Sequence, residues 1–213
     1  MRHIFKLLAA SVAAATICSC SSLTGYPTDA EASYAKAIEI AKKSVDTDKF
    51  KVYSLSFMEG EPRSDNLLLI SDKLSNMDNQ AFSQAYIMTG LEPTALSDVQ
   101  RTFEAPEYET TVGIDLTKLD AAQIAAQIAQ AKTMLPEGHT FKSVGSYQIE
   151  EDVPAGNSVF NRNKTFGKQH TSFVVRFTED GKETESRAGN TSYIYYDAEV
   201  TVEPDGTLSI EEN

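Results

Sequence analysis

Histidine and cysteine are sparse in this 213-residue chain, three and two residues, and the spacing of its candidate chemical groups argues against catalysis. Its histidines are His3, His139 and His170. A zinc site gathers three or four nitrogen, sulfur or oxygen ligands at close spacing. No HExxH or CxxC supplies them here, so no metal and no cofactor are expected. His139, after Gly138, is expected in an exposed turn, and His170 at the opening of a strand. Ser33-Tyr34-Ala35-Lys36 has the spacing of a serine nucleophile one helical turn from a lysine, and Ser64-Asp65-Asn66 has the form of its polar companion. Tyr34 belongs to an apolar helix stripe, however, which turns Ser33 and Lys36 toward solvent and makes the match a chance one. Asp197, Glu199, Thr201 and Glu203 share one face of a strand. Residues two apart there stand roughly 7 Å from each other, whereas calcium draws oxygens to about 2.4 Å. The row reads as a solvated face, and Glu150-Glu151-Asp152 as a strand running out into a loop. The chain is expected not to be an enzyme.

One segment has a different character. Residues 152–170 are long, polar and rich in asparagine. Between 162 and 170 they carry Arg162, Lys164, Lys168 and His170 with no acid, whereas residues 188–213 hold six acids and no Lys or Arg. A basic patch on an acidic body orients the approach of an anionic partner. Phe160 and Phe166 would supply the apolar anchor that charge alone lacks. The candidate partner-binding residues are therefore Phe160, Arg162, Lys164, Phe166, Lys168 and His170. The net charge of −12 repels phosphate backbones and excludes general nucleic-acid binding.

The amino terminus reads as a targeting segment. Arg2 and Lys6 precede an apolar stretch from Leu7 to Ile17, too short to span a bilayer. Ile17-Cys18-Ser19-Cys20 follows, and this junction resembles the lipobox of bacterial lipoproteins, with Ile17 and Ser19 in its aliphatic and small positions. Cys18 departs from the pattern, where a smaller or aliphatic spacer is usual. The resemblance implies cleavage before Cys20 and acylation of Cys20. Ser21, where an aspartate would mark inner-membrane retention, implies an outer-membrane destination, lipid-anchored and facing the periplasm or the surface. Losing Arg2 and Lys6 with the leader takes the net charge from −12 to −14.

Residues 20–27 read as a tether. A helix is predicted from Thr28-Asp29-Ala30-Glu31, a capping box, with Tyr34, Ile38, Ala41 and Val45 on one stripe. Strands follow around Tyr53-Leu55-Phe57, over Leu67–Ile70, over Phe82–Met88 and over Tyr108–Ile114. The pattern then restarts. Leu119–Leu135 is a second helix with Ile124, Ile128, Ala131 and Leu135 on its stripe, and a strand runs from Phe141 to Ile149. Phe173, Val175 and Phe177 mark another strand. Glu179-Asp180-Gly181 and Glu203-Pro204-Asp205-Gly206 signal hairpins. Between them the parity of Tyr193 and Tyr195 conflicts with that of Ala198, Val200 and Val202, which predicts a bulge near Tyr195 and Tyr196.

Phe50-Lys51 and Phe141-Lys142 open equivalent strands, and Pro62 and Pro154 follow them. These offsets of about 90 residues predict an α+β chain of two tandem helix-plus-antiparallel-sheet repeats with about four strands each. The division is residues 1–19 leader, 20–27 tether, 28–116 first repeat and 117–213 second repeat. The element order resembles the beta-lactamase inhibitory protein and PepSY-type modules of bacterial exported proteins, which implies a binding or inhibitory role. The expected function is a non-catalytic, membrane-anchored lipoprotein that binds an envelope protein or an anionic glycan. The alternatives are a small periplasmic hydrolase with a carboxylate-based site and a carbohydrate-binding lipoprotein.

Overall fold

The computed structural model describes residues 25–60, 67–75, 80–88, 93–99, 107–152, 166–187 and 189–212. Cys20 with its leader, the Ser64-Asp65-Asn66 triplet, Phe160, Arg162 and Lys164 lie outside them. The described elements are α1 (Glu31–Ser44), β1 (Phe50–Glu59), β2 (Leu67–Ser75), β3 (Ala81–Ile87), β4 (Ser97–Asp98), a 3-10 turn over Leu116–Lys118, α2 (Ala121–Thr133), β5 (His139–Glu151), β6 (Gln169–Glu179), β7 (Thr184–Arg187), β8 (Asn190–Tyr193), β9 (Tyr196–Val202) and β10 (Leu208–Glu212). Eight strands form one antiparallel sheet in the order β10-β9-β6-β5-β1-β2-β3-β4, and β7 pairs with β8 apart from it. The chain is α+β, as its patterning predicts.

Both helices pack on the same face of the sheet because their stripes need an apolar surface. Tyr34, Ile38, Ala41 and Val45 of the first stripe are buried, as are Ile124, Ile128 and Ala131 of the second. They meet Leu55, Phe57, Leu69, Val144, Tyr147, Phe173, Val175 and Val200 in one core. Fully burying a large aliphatic or aromatic side chain contributes about 1.5–3 kcal/mol. At the centre, the Tyr34 ring meets Phe57 edge-on at 5.3 Å and Tyr147 stacks on Phe173 at 5.4 Å. The Tyr147 hydroxyl donates to Gln127 Oε1 at 2.5 Å. Burial pushes the Tyr34 and Tyr147 phenols above their ordinary pKa, so both stay neutral donors.

The capping box at Thr28 does not form. Ala30 precedes the helix without a side-chain cap. Thr28 is buried, its Oγ1 accepts from Val144 N at 2.9 Å, and its carbonyl accepts from the Tyr34 hydroxyl at 2.6 Å. The register of β5 against β6 shifts between Val144 and Ser146. A buried strand amide beside that shift must find an acceptor, whereas a first-turn amide can turn to water. Thr28 serves the strand.

Four further expectations change. Residues 108–114 make no strand, and the reason lies in the candidate site below. β6 turns at Glu179-Asp180-Gly181 but does not pair with β7. Tyr193 and Tyr196 are separated by a break rather than a bulge, because the two residues between them carry the chain from the small hairpin to the large sheet. β2 continues past Ile70 to Ser75, with buried Lys73 on its helix-facing side.

The sheet has two ends. At the tether end, Leu67 N donates to the carbonyl of Tyr26 at 3.1 Å, β6 finishes and β9 begins. At the loop end, β1 begins and β5 hands over to β6 through residues 152–168. β1 and β5 pair from Ser54↔Glu150 to Met58↔Ser146. Above them, on the face away from the helices, Arg176 Nη1 donates to Glu59 Oε2 at 2.6 Å and its Nε to Asp197 Oδ1 at 2.9 Å.

Candidate functional site

The loop end is assembled around a buried carboxylate. Glu151, the last residue of β5, is buried, and its two oxygens accept from Val112 N at 2.8 Å and Gly113 N at 2.5 Å. The strand runs out into the loop here, as its sequence predicts, but Glu151 turns into the protein. A charged acceptor facing two adjacent amides makes strong hydrogen bonds. It also takes the donors that residues 112 and 113 would need to join a sheet, and Gly113 at φ +89° lies outside extended geometry. These two facts replace the expected strand with a fixed loop.

Further contacts hold that loop down. Lys51 Nζ donates to the carbonyls of Tyr108 and Thr111 at 2.8 and 2.7 Å and sits 4.3 Å over the Tyr108 ring. Gln169 Nε2 donates to the carbonyl of Gly113 at 3.2 Å. Ile114 N donates to the carbonyl of Val52 at 2.7 Å, which sends Ile114 and Leu116 into the core. A cleft of about 370 Å³ opens here, lined among others by Thr47, Phe50, Lys51, Tyr108 and Val112. The Lys51 ammonium is engaged by these carbonyls and by the ring.

The base of the 152–168 connection is closed by Asp152 N donating to the carbonyl of Lys168 at 2.9 Å and Gly167 N donating to that of Asp152 at 3.1 Å. Gly167 has φ +75°, and a Cβ there would fall 2.8 Å from Val112 Cγ2. Val112 therefore lies on Gly167, beside Phe166. Val112 is 66% exposed, and Phe166, the chain neighbour of Gly167, is 43% exposed.

Of the residues expected to bind a partner, Phe166 and Lys168 are exposed at this end. His170 is exposed on β6, with Nε2 3.7 Å from Glu150 Oε2, an exposed pairing that contributes about 0–1 kcal/mol when the ring is protonated. Val112 and Glu151 join the site from positions that the sequence pattern assigned elsewhere. Val112 carried a signal, a large apolar residue between Thr111 and Gly113, but alternation absorbed it into a strand.

The other candidates resolve simply. Ser33 is buried rather than solvent-facing, because Tyr34 and Ala37 draw its flank of α1 inward, while Lys36 pairs with Glu39 at 3.1 Å. The two do not meet. His139 opens β5 rather than sitting in a free turn, half-buried, with its ring 5.4 Å from that of Phe177. Asp197, Glu199, Thr201 and Glu203 are exposed, Asp197 engaging Arg176 and Glu203 accepting from Ser209 at 3.1 Å. Among the described residues no group of three His, Cys, Asp or Glu side chains converges as metal ligands. None of the described helices is long and apolar enough to cross a membrane. Comparison with protein-family models, with curated proteins and with solved structures finds no match.

Proposed function

We propose that this chain is a non-catalytic binding module, held to the outer membrane through acylated Cys20, that presents its loop end to another envelope component. The observation carrying the reading is the exposed Val112–Phe166 pair on a scaffold fixed by Glu151, Gln169 and Lys51. Apolar side chains on a preorganised base make good anchors because little conformational freedom is lost on binding. Lys168, together with Arg162 and Lys164 in the adjoining sequence, biases the partner toward negative charge: an acidic protein or an anionic glycan. The strand order supports the tandem reading, since β5, β6, β9 and β10 extend from one side of the β1–β5 seam and β1 to β4 from the other.

A pull-down from native membranes at low salt tests the binding surface. Val112→Ser with Phe166→Ser should abolish partner recovery, and replacing Arg162, Lys164 and Lys168 with Ser should reduce it in a salt-dependent way. Undiminished recovery by both variants would remove this end from consideration. Cys20→Ser should move the protein from the membrane to the soluble fraction. A wild type that is already soluble and carries no lipid mass would refute the anchor.

A further inference from the structure

The end of the sheet opposite the binding surface carries its own exposed aromatic group. Exposed Tyr193 and half-buried Tyr195 stack with ring centres 6.4 Å apart and planes 15° apart, where β8 gives way to β9. Tyr196 stacks on Phe177 at 5.8 Å and stays 42% exposed, Tyr193 is 52% exposed, and Met134, just after α2, is 40% exposed. Among the described residues the large exposed apolar side chains thus gather mainly at the two ends, Val112 and Phe166 at one and Met134, Tyr193 and Tyr196 at the other.

The tyrosine end is also where the chain enters the fold. Tyr26 is fixed to Leu67 at the start of β2, and Thr28 to Val144 near the start of β5. Five residues lie between Cys20 and Tyr26, and the six steps reach about 20 Å at full extension. From β2 to β9 the sheet order gives four interstrand steps, about 19 Å in all. An acylated Cys20 therefore holds the start of β2 within about 20 Å of the bilayer and leaves β9, at the same end of the sheet, able to reach it. Tyrosine, with an apolar ring and a polar hydroxyl, favours the layer between headgroups and acyl chains. Charge does not drive the contact: residues 179–187 hold four acids and two bases. The surface suited to this end is zwitterionic.

We propose that the tether end faces the membrane, with Tyr193, Tyr195 and Tyr196 seated in the headgroup layer of a zwitterionic bilayer, so that the sheet stands upright and holds the Val112–Phe166 surface away from it. This orientation rests on the reading of Cys20 as the lipid anchor. The chain contains no tryptophan, so one introduced indole reports alone.

The experiment uses the full lipidated protein in phosphatidylcholine vesicles, with and without lipid brominated near the headgroup end of its acyl chains. Tyr193→Trp should emit at shorter wavelength in vesicles and be quenched at least about twofold by the brominated lipid, as expected for an aromatic at the interface. Phe166→Trp should be unaffected. Tyr195→Trp repeats the measurement where Tyr193→Trp fails to fold. If the protein floats with the vesicles but both tyrosine positions stay unquenched, the orientation is overturned while the anchor stands. Quenching at Phe166→Trp alone would invert it. If the wild type does not float at all, the anchor fails and the orientation fails with it.

Discussion

Glu151→Ala probes the scaffold of the proposed binding surface directly. The wild-type carboxylate is buried and accepts from two consecutive amides at 2.8 and 2.5 Å. Each hydrogen bond to a charged group contributes about 1.5–3 kcal/mol, and a buried donor left without an acceptor costs about 1–3 kcal/mol. Val112 is exposed, so water can reach the vacated amides and recover part of that loss. The expected destabilisation is about 3 kcal/mol, a large share of the 5–15 kcal/mol typical of a folded domain. Glu151→Gln keeps one acceptor but turns an amide donor toward the second N–H, and about 2 kcal/mol is expected. The loss is capped by the free energy of releasing residues 107–113 as a unit, since Ile114 and Leu116 stay held by the core. Urea unfolding followed by circular dichroism measures the total, and amide exchange at Val112 and Gly113 measures the local release. If the Ala variant stays within about 1 kcal/mol of wild type and those two amides exchange no faster, the clamp is not what fixes this loop.

Three further sets of substitutions separate competing effects. Gly167→Ala and Gly181→Ala impose the same left-handed backbone strain, about 1 kcal/mol. Only the former meets an atom, Val112 Cγ2 at 2.8 Å, so its melting temperature should fall further; equal shifts would mean Val112 moves aside freely. Lys73 is 2% exposed, with Nζ bonded to Gln84 Oε1 at 2.6 Å and the Tyr86 hydroxyl at 3.3 Å, and burial lowers its pKa. The native state then binds fewer protons than the unfolded one, so stability rises with pH from the depressed native value up to the unfolded value of about 10.4. Lys73→Met should remove that slope and raise stability at neutral pH by about 1 kcal/mol; a loss of similar size would show that the two hydrogen bonds outweigh desolvation. Arg176→Met takes the guanidinium from the Glu59 carboxylate, whose side chain is 3% exposed, and should cost about 3 kcal/mol in urea unfolding. Adding Glu59→Met should restore most of it, and a double variant no better than the single one would contradict the pairing.

Both helices and most sheet strands were legible because their apolar periods persist through the burial that selects them. Tyr34, Ile38, Ala41 and Val45 keep a helical stripe, and Phe173, Val175 and Phe177 keep a strand parity. Legibility failed where a polar group took an inward place or served a distant neighbour. Lys73 faces the core side of β2 and so hid the second half of that strand. Tyr108, Val112 and Ile114 have the composition of a strand, yet Glu151, 38 residues from Gly113, claims the amides that pairing would use. Thr28 matches a capping box but bonds Val144, 116 residues on. Lys168 and His170 stood out by local charge contrast and Phe166 as an aromatic in a polar stretch, both properties of composition. Val112 was absorbed into a strand by its alternation, because its place on Gly167 is set by residues distant in sequence.

The β1–β5 seam has a kinetic consequence. Ser54 and Glu150, hydrogen-bonded through their side chains across it, are 96 residues apart in sequence, so every contact along the seam closes a long loop. The connections β1–β2 and β2–β3 close far shorter ones and can form as soon as those segments meet. A chain emerging amino terminus first holds β1 with one edge open, and with Leu55 and Phe57 uncovered by the second half, until β5 arrives. That interval is when the protein is most exposed to pairing with other chains. Pulsed amide exchange during refolding should protect the amides shared by β2 and β3 before those shared by β1 and β5. Simultaneous protection would mean that the seam itself nucleates the fold.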